Sequence, residues 1–204
     1  MTMLISDPWV EEKLKEQRKA WGADHHDEVW EGVYFMAPLP NDEHQELVMG
    51  VSSALYAAID GAQLGKTRPG VNLAGFADNW EHDYRVPDVI VFLNETAAEN
   101  FKTYWRGAAD FVVEITSPDD RTYEKIPFYA RLGVRELLIV DRQPWALKLY
   151  RLRESALELI GESTLQQADL LTSAVLPLRF QLVAGQPRPQ IEIIHVETGQ
   201  HWPA

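Results

Sequence analysis

Apolar residues along most of this chain either alternate with polar ones or gather in short runs, and only a few stretches repeat them every three or four positions. The first rhythm belongs to strands and the second to helices. Residues 9–20 are sparsely apolar and densely charged, and read as a short surface helix. Residues 28–36 read as strand with a bend at Gly32. The run Pro38-Leu39-Pro40 is a stop, after which Asn41 or Asp42 caps a helix over about 43–60. Leu47, Val51, Leu55 and Ala58 form its apolar face, and Asp60-Gly61 closes it. A short strand is expected within 71–77, and strong strands over 85–93 and 109–116.

Ser117-Pro118-Asp119-Asp120 combines a capping serine, a proline at the first helical position and acids in the first turn. The helix it opens runs to about 132 and ends at Gly133, and Pro127 must kink or restart it. Residues 136–141 are almost continuously apolar, as in a buried central strand. Strand, helix and strand in this order predict a right-handed crossover between two parallel strands. Residues 145–151 alternate, and further strands are expected near 156–160, 175–180 and 190–196, with Pro187-Arg188-Pro189 as a turn. The pattern predicts one α/β domain over 1–204, with a helical extension (1–27), a core (28–150) and C-terminal strands (151–204).

Composition narrows the field. The chain has 204 residues, 46% of them hydrophobic, enough for one full core. It has no cysteine, so thiolate metal sites and thiol nucleophiles are excluded. The first residues carry no basic region followed by a long apolar stretch, and no apolar run is long enough for a membrane helix, so the expectation is a cytoplasmic protein without membrane partners. The net charge of −12 disfavours avid non-specific binding to phosphate backbones. A homodimer is one way to assemble a cleft of sufficient positive field. No Gly-rich phosphate loop, Gly-x-Ser-x-Gly elbow or His-Glu-x-x-His is present.

Within this frame three residues stand out. Asp88 and Glu114 each interrupt a run of Val, Ile and Phe, and a carboxylate so placed needs a cation, hydrogen-bond donors or a metal. If 85–93 and 109–116 pair antiparallel, the two acids face each other at one end of the pair. Converging carboxylates repel unless a proton or cation intervenes, and oxygen-only ligands favour Mg²⁺ or Mn²⁺. Lys125, on the crossover helix, is placed to aim an ammonium at the same point. Such a set suits phosphodiester hydrolysis. The plainer alternatives are a turn-capping Asp88 and a structural Glu114–Lys125 salt bridge. Asp24-His25-His26-Asp27 reads as a solvated loop, since adjacent histidines point apart. Arg85, Lys102, Arg106 and Arg121, interleaved with Tyr104 and Trp105, read either as a local phosphate-binding patch or as a mixed-charge loop.

Pro87-Asp88, then Glu114-Ile115-Thr116-Ser117-Pro118, then Lys125, Tyr129, Gly133-Val134 and Asp141, resembles the Uma-type family of restriction endonucleases, within the PD-(D/E)XK nuclease superfamily. Glu31-Gly32 and His44 are similar to family positions as well. The resemblance covers roughly residues 28–150. It implies a restriction-endonuclease-like α/β core, with a mixed sheet flanked by helices and additional antiparallel strands. It further implies Asp88 and Glu114 as Mg²⁺ ligands, Lys125 as the catalytic lysine and His44 near the site, and the Ile115 carbonyl is expected to assist the two acids. The expected function is a metal-dependent endonuclease hydrolysing DNA. A catalytically silent interaction module that kept the fold and a hydrolase of a small substrate are the alternatives. Two departures accompany the likeness. Thr116 stands where the wider superfamily places its lysine, and Glu136-Leu137-Leu138 stands where a Glu-Tyr-Trp is common.

Overall fold

The computed structural model describes residues 8–75, 78–118 and 121–204. In chain order its elements are α1 (Pro8–Ala20), β1 (Glu28–Trp30), β2 (Val33–Phe35), α2 (Asp42–Leu55), β3 (Gly65–Pro69), β4 (Leu73–Ala74), β5 (Tyr84–Arg85), β6 (Val89–Leu93), β7 (Glu99–Asn100), β8 (Trp105–Arg106) and β9 (Phe111–Ile115). There follow α3 (Ile126–Leu132), β10 (Glu136–Arg142), β11 (Trp145–Arg153), β12 (Ala156–Thr164), β13 (Leu171–Thr172), β14 (Leu178–Val183), β15 (Gln190–His195) and β16 (His201–Pro203). No described helix is long and apolar enough to cross a membrane.

A six-stranded mixed sheet, ordered β12-β11-β10-β9-β6-β3, forms the centre. Only β9 and β10 run parallel, joined by the crossover through α3, and the other pairs are antiparallel. This is the strand–helix–strand unit that the apolar pattern predicts. Because side chains alternate along a strand, each strand is divided between the two faces. Val89 and Val91, Phe111, Val113 and Ile115, and Leu138 and Val140 point to one face, where they pack with Leu47, Val51 and Leu55 of α2 and with Phe180 and Ile193 of the C-terminal sheet β13-β14-β15-β16. Ile90 and Phe92, Val112, and Leu137 and Ile139 point to the other, where Phe128 and Tyr129 cover them. Each fully buried Leu, Val or Phe contributes roughly 1.5–3 kcal/mol of transfer free energy, so both layers are needed. Glu114 shares the α3 face with Val112 by the same alternation. A third sheet of short strands, β2-β1-β5-β4-β8-β7, completes the architecture.

Local chemistry sets the ends. Asn41 caps α2, its side chain accepting from the His44 N–H, and the last turn of that helix widens into a π turn over Tyr56–Asp60. Glu31 and Gly32 both have positive φ (50° and 87°), the conformation that lets a two-residue turn match the twist of β1 and β2. Gly133, at φ 84°, closes α3.

Several expectations are revised. The strand expected over 85–93 is two strands in different sheets, because Pro87 has no N–H for a ladder. Asp88 therefore precedes β6 rather than lying in it. Over 71–77 only Leu73–Ala74 is strand among the described residues, and Phe76 and Ala77 lie outside them. Asp119 and Asp120 also lie outside. After them a 3₁₀ turn spans Thr122–Lys125, and regular helix begins only at Ile126, so Pro127 starts α3 rather than kinking it. β3, with the sequence Gly-Lys-Thr-Arg-Pro, lacks any apolar alternation because it lies at the sheet edge.

Candidate active site

The site grows from the register of β6 and β9. Val89 pairs with Val113, Ile90 with Val112 and Val91 with Phe111, antiparallel. One step beyond that register, Asp88 precedes β6, and Glu114 lies on the α3 face near the carboxyl end of β9. Asp88 accepts the Ile115 N–H on Oδ2 (2.7 Å) and pairs through Oδ1 with His44 Nε2 (2.8 Å). Its hydrogen-bond donors thus come from two different elements. His44 is held in turn by the Asn41 cap at its own N–H (2.9 Å), with Ser117 Oγ 3.4 Å from its Nδ1.

Glu114 is buried. Lys125 Nζ donates to both its oxygens (3.1 Å each), and the Tyr129 hydroxyl donates to Oε1. Lys125 and Tyr129 lie four residues apart, one at the end of the 3₁₀ turn and one in α3, so both reach down onto the same strand. A third carboxylate, Glu28 of β1, approaches from the small sheet. It stands 2.9 Å from Lys125 Nζ, and it is fixed by Trp30 Nε1 (2.7 Å) and the Val86 N–H (2.9 Å). Lys125 therefore bridges two acids brought from different sheets. At the rim, buried Arg142 of β10 ties the Thr116 carbonyl (2.6 Å), Asn41 (3.2 Å), Glu43 (3.0 Å) and Ser117 (3.0 Å) together, fastening the end of α2 to the end of β9.

These groups are charged unevenly. Burial pushes Glu114 well above the ordinary carboxylate range, opposed by Lys125 and reinforced by Asp88 and Glu28. Burial works against the Lys125 ammonium too, yet Glu114 and Glu28 hold it well above the ordinary lysine range. The Tyr129 phenol is also raised, by burial and then by Glu114. The lysine thus keeps its proton between two acids, and Glu114 is the member left short of positive charge. Three carboxylates thus stand around one ammonium, which two of them share.

Asp88, Glu114, Ile115, Lys125, Glu28 and His44 all border one cavity of about 520 Å³ that opens to solvent. The structure thus gathers the five residues named from the sequence. Among the described residues, no group of three or more His, Asp or Glu side chains is close enough to hold a metal ion as it stands. The donor chemistry nevertheless fits a hard divalent cation. Asp88 Oδ1, Asp88 Oδ2 and Glu114 Oε2 each take a single side-chain or backbone partner, and a carboxylate oxygen has room for a second.

Glu28 and Tyr129 are the members of this cluster to which sequence reasoning assigned no role. Glu28 lies in a three-residue strand far from Lys125 in the chain, and nothing local marks it. The helical spacing of Lys125 and Tyr129 was the available signal for the tyrosine. The basic patch does not assemble. Arg85 is buried against Asp83 (2.9 Å) and the Val29 carbonyl (2.9 Å), and Arg106 pairs with Glu99 (2.6 Å). Tyr104 and Trp105 are buried, stacked on Trp80 and Phe92. Of the patch, Arg121 alone borders the cavity. In the loop read as solvated, His25 and His26 are exposed, but Asp27 is buried, accepting from Arg18 (2.6 Å) and the Ala37 N–H (2.7 Å).

A family model described as Uma2, putative restriction endonuclease, matches residues 16–185. Among solved structures the chain is similar to a crystal structure described as a putative nuclease belonging to DUF820 from Anabaena variabilis ATCC 29413. The TM-score is 0.57 at 19% identity, covering 72% of this chain and 80% of that one. No functionally curated protein matches the chain.

Proposed function

The chain belongs to the Uma2 family of putative restriction endonucleases, and from that premise we propose that it is a divalent-metal-dependent endonuclease hydrolysing DNA phosphodiesters in the Asp88–Glu114–Lys125 cavity. One observation carries this reading: three carboxylates and a single bridging ammonium converge, with a surplus of negative charge, on a cavity open to solvent. A purely structural ion pair has no need of a third acid or of an opening.

Asp88 and Glu114, with the Ile115 carbonyl, would hold Mg²⁺ or Mn²⁺. A bound divalent ion supplies a lowered pKa for a ligated water and neutralises charge building on the phosphoryl oxygens. The chain's own residues do the rest. Lys125, protonated and held by two acids, would place its positive charge beside the attacking water or a non-bridging phosphate oxygen. Tyr129 fixes the rotamer of Glu114 by donating to Oε1. His44 orients Asp88 through Nε2, and Glu28 keeps Lys125 charged and aimed.

Supercoiled plasmid incubated with Mg²⁺ or Mn²⁺ tests the reading. Nicking that EDTA abolishes, and that Lys125→Ala slows by about a thousandfold or more (about 4 kcal/mol of barrier), is the expected result. No cleavage of the plasmid or of a single-stranded DNA with either ion, or cleavage unchanged in Lys125→Ala, overturns it.

A further inference from the structure

We propose that the strand to be cut enters this cavity as an unpaired, unstacked nucleotide of single-stranded DNA, with its phosphate beside Lys125 and its base lying on Arg121 and the apolar wall. The inference rests on the nuclease reading and names the form of substrate that the site accepts.

Depth is the first reason. Glu114 is 3% exposed, and the Lys125 side chain only 14%. A paired duplex is a stiff rod that offers its phosphates on a convex surface. Groups recessed at the floor of a cavity are reached by a chain that can bend inwards, which a single strand does without an unpairing cost and an extruded nucleotide does at a few kcal/mol. The cavity volume, about 520 Å³, falls in the range of roughly 300–1,000 Å³ that encloses a small organic molecule.

The second reason is the composition of the walls. Beside the acids and Lys125, which are the more buried members, the lining includes the apolar residues Phe35, Met36, Pro38, Leu39 and Val48. Leu39 in that lining is 81% exposed among the described residues. Phosphate alone has no use for such a wall, but a base has two apolar faces.

The third is Arg121. Its guanidinium lies 5.1 Å from the Trp30 ring centroid and 4.9 Å from that of Phe35. Glu124 grips it in the plane, with Nε to Oε1 at 2.7 Å and a second bond from Nη2. The result is a flat cation, oriented from beneath and from one edge, with its side chain 38% exposed at the cavity. Unpaired bases stack on arginine planes as they do on aromatic rings. Lys125 and Arg121 are the lysine and arginine among the residues bordering the cavity. On a chain of net charge −12 this is far less than the basic track by which duplex-binding proteins neutralise several phosphates.

The test uses the whole chain with Mn²⁺ and one fluorescein-labelled oligonucleotide in three forms: single strand, fully paired duplex, and duplex with a short unpaired bulge. The expected result is cleavage of the single strand, and of the bulge within its unpaired segment, about tenfold or more faster than of the paired duplex. A paired duplex cut as fast as the single strand overturns the inference and leaves the nuclease reading standing. Failure to cut any form, beside a plasmid that is also not nicked, overturns both. Arg121→Ala is expected to raise KM for the single strand about tenfold with a much smaller change in kcat. Arg121→Lys, which keeps the charge and loses the plane, is expected to raise KM nearly as far. A lysine variant with the original KM, or an alanine variant that lowers kcat alone, overturns the stacking role.

Discussion

Two buried glutamates occupy neighbouring parallel strands and lead different lives. Glu136 stands at the start of β10 opposite Phe111, on the face that packs against α2 and the C-terminal sheet, and Glu114 stands near the end of β9 on the α3 face. Glu136 is 0% exposed and is met by donors of ordinary structural kind. Arg151 Nε lies at 2.8 Å from the strand alongside, the Ala174 N–H at 3.0 Å, and the Ser173 hydroxyl bonds to Oε2. Ser173 accepts the Val175 and Leu176 N–H groups in turn, so the acid pins the approach to β14 onto the central sheet. Glu114 shares its one cation with Glu28, faces a third acid in Asp88 and borders a cavity. Burial alone does not mark a functional carboxylate. What distinguishes Glu114 is a cation shared with a second acid, beside an opening, at the carboxyl end of a parallel strand, where α/β sheets place their ligands.

Exchanging the carboxylates for amides should split the pair most sharply in activity. Glu114→Gln is expected to lower the metal-dependent nicking rate by about a thousandfold or more, whereas Glu136→Gln, measured below its own melting temperature, should retain the rate within a few-fold. Equal losses in both would erase the distinction.

Stability should divide in the opposite sense. Glu136→Ala strands Ser173, the Ala174 N–H and part of Arg151, and is expected to cost about 3 kcal/mol in urea unfolding. Glu114→Gln should be near neutral, because ionised Glu114 is itself disfavoured by burial.

The sign with pH follows from the direction of that shift. A carboxyl whose folded pKa is raised binds its proton more tightly in the folded state than in the unfolded one. Stability is therefore lost as pH climbs from the ordinary value near 4.5 towards the raised one. Lys125, also raised, adds no slope over that range, since its contribution is whole below about 10.5 and is lost only above. Melting temperatures of the wild type should fall relative to Glu114→Gln between acid and neutral pH, by a few degrees. Parallel curves for the two proteins would show that Glu114 is as well compensated as Glu136.

Much of this arrangement was legible along the chain. The alternation of Val89, Ile90 and Val91 against Phe111, Val112 and Val113 predicted strands, and their antiparallel pairing was the condition under which Asp88 meets Glu114. Asn41 marked the start of α2 and Gly133 the end of α3. These features are local, set by backbone sterics, by capping and by the two-residue period, which decides the face once a partner is present. The failures have equally physical causes. Pro87 cut a continuous apolar run because a ladder needs an N–H. The basic patch dissolved because Arg85 and Arg106 found nearer acids and the aromatic residues found the core.

Sequence by itself determined the crossover between β9 and β10, the family likeness, and Asp88, Glu114 and Lys125 as the candidates for chemistry. Tertiary structure alone decided that Glu28 comes from another sheet to share the lysine, that Arg142 locks the end of α2 to the end of β9, and that an apolar wall rises beside the acids. These contacts join residues far apart in the chain, and whether they form depends on how whole layers pack, a property that no local pattern of side chains encodes.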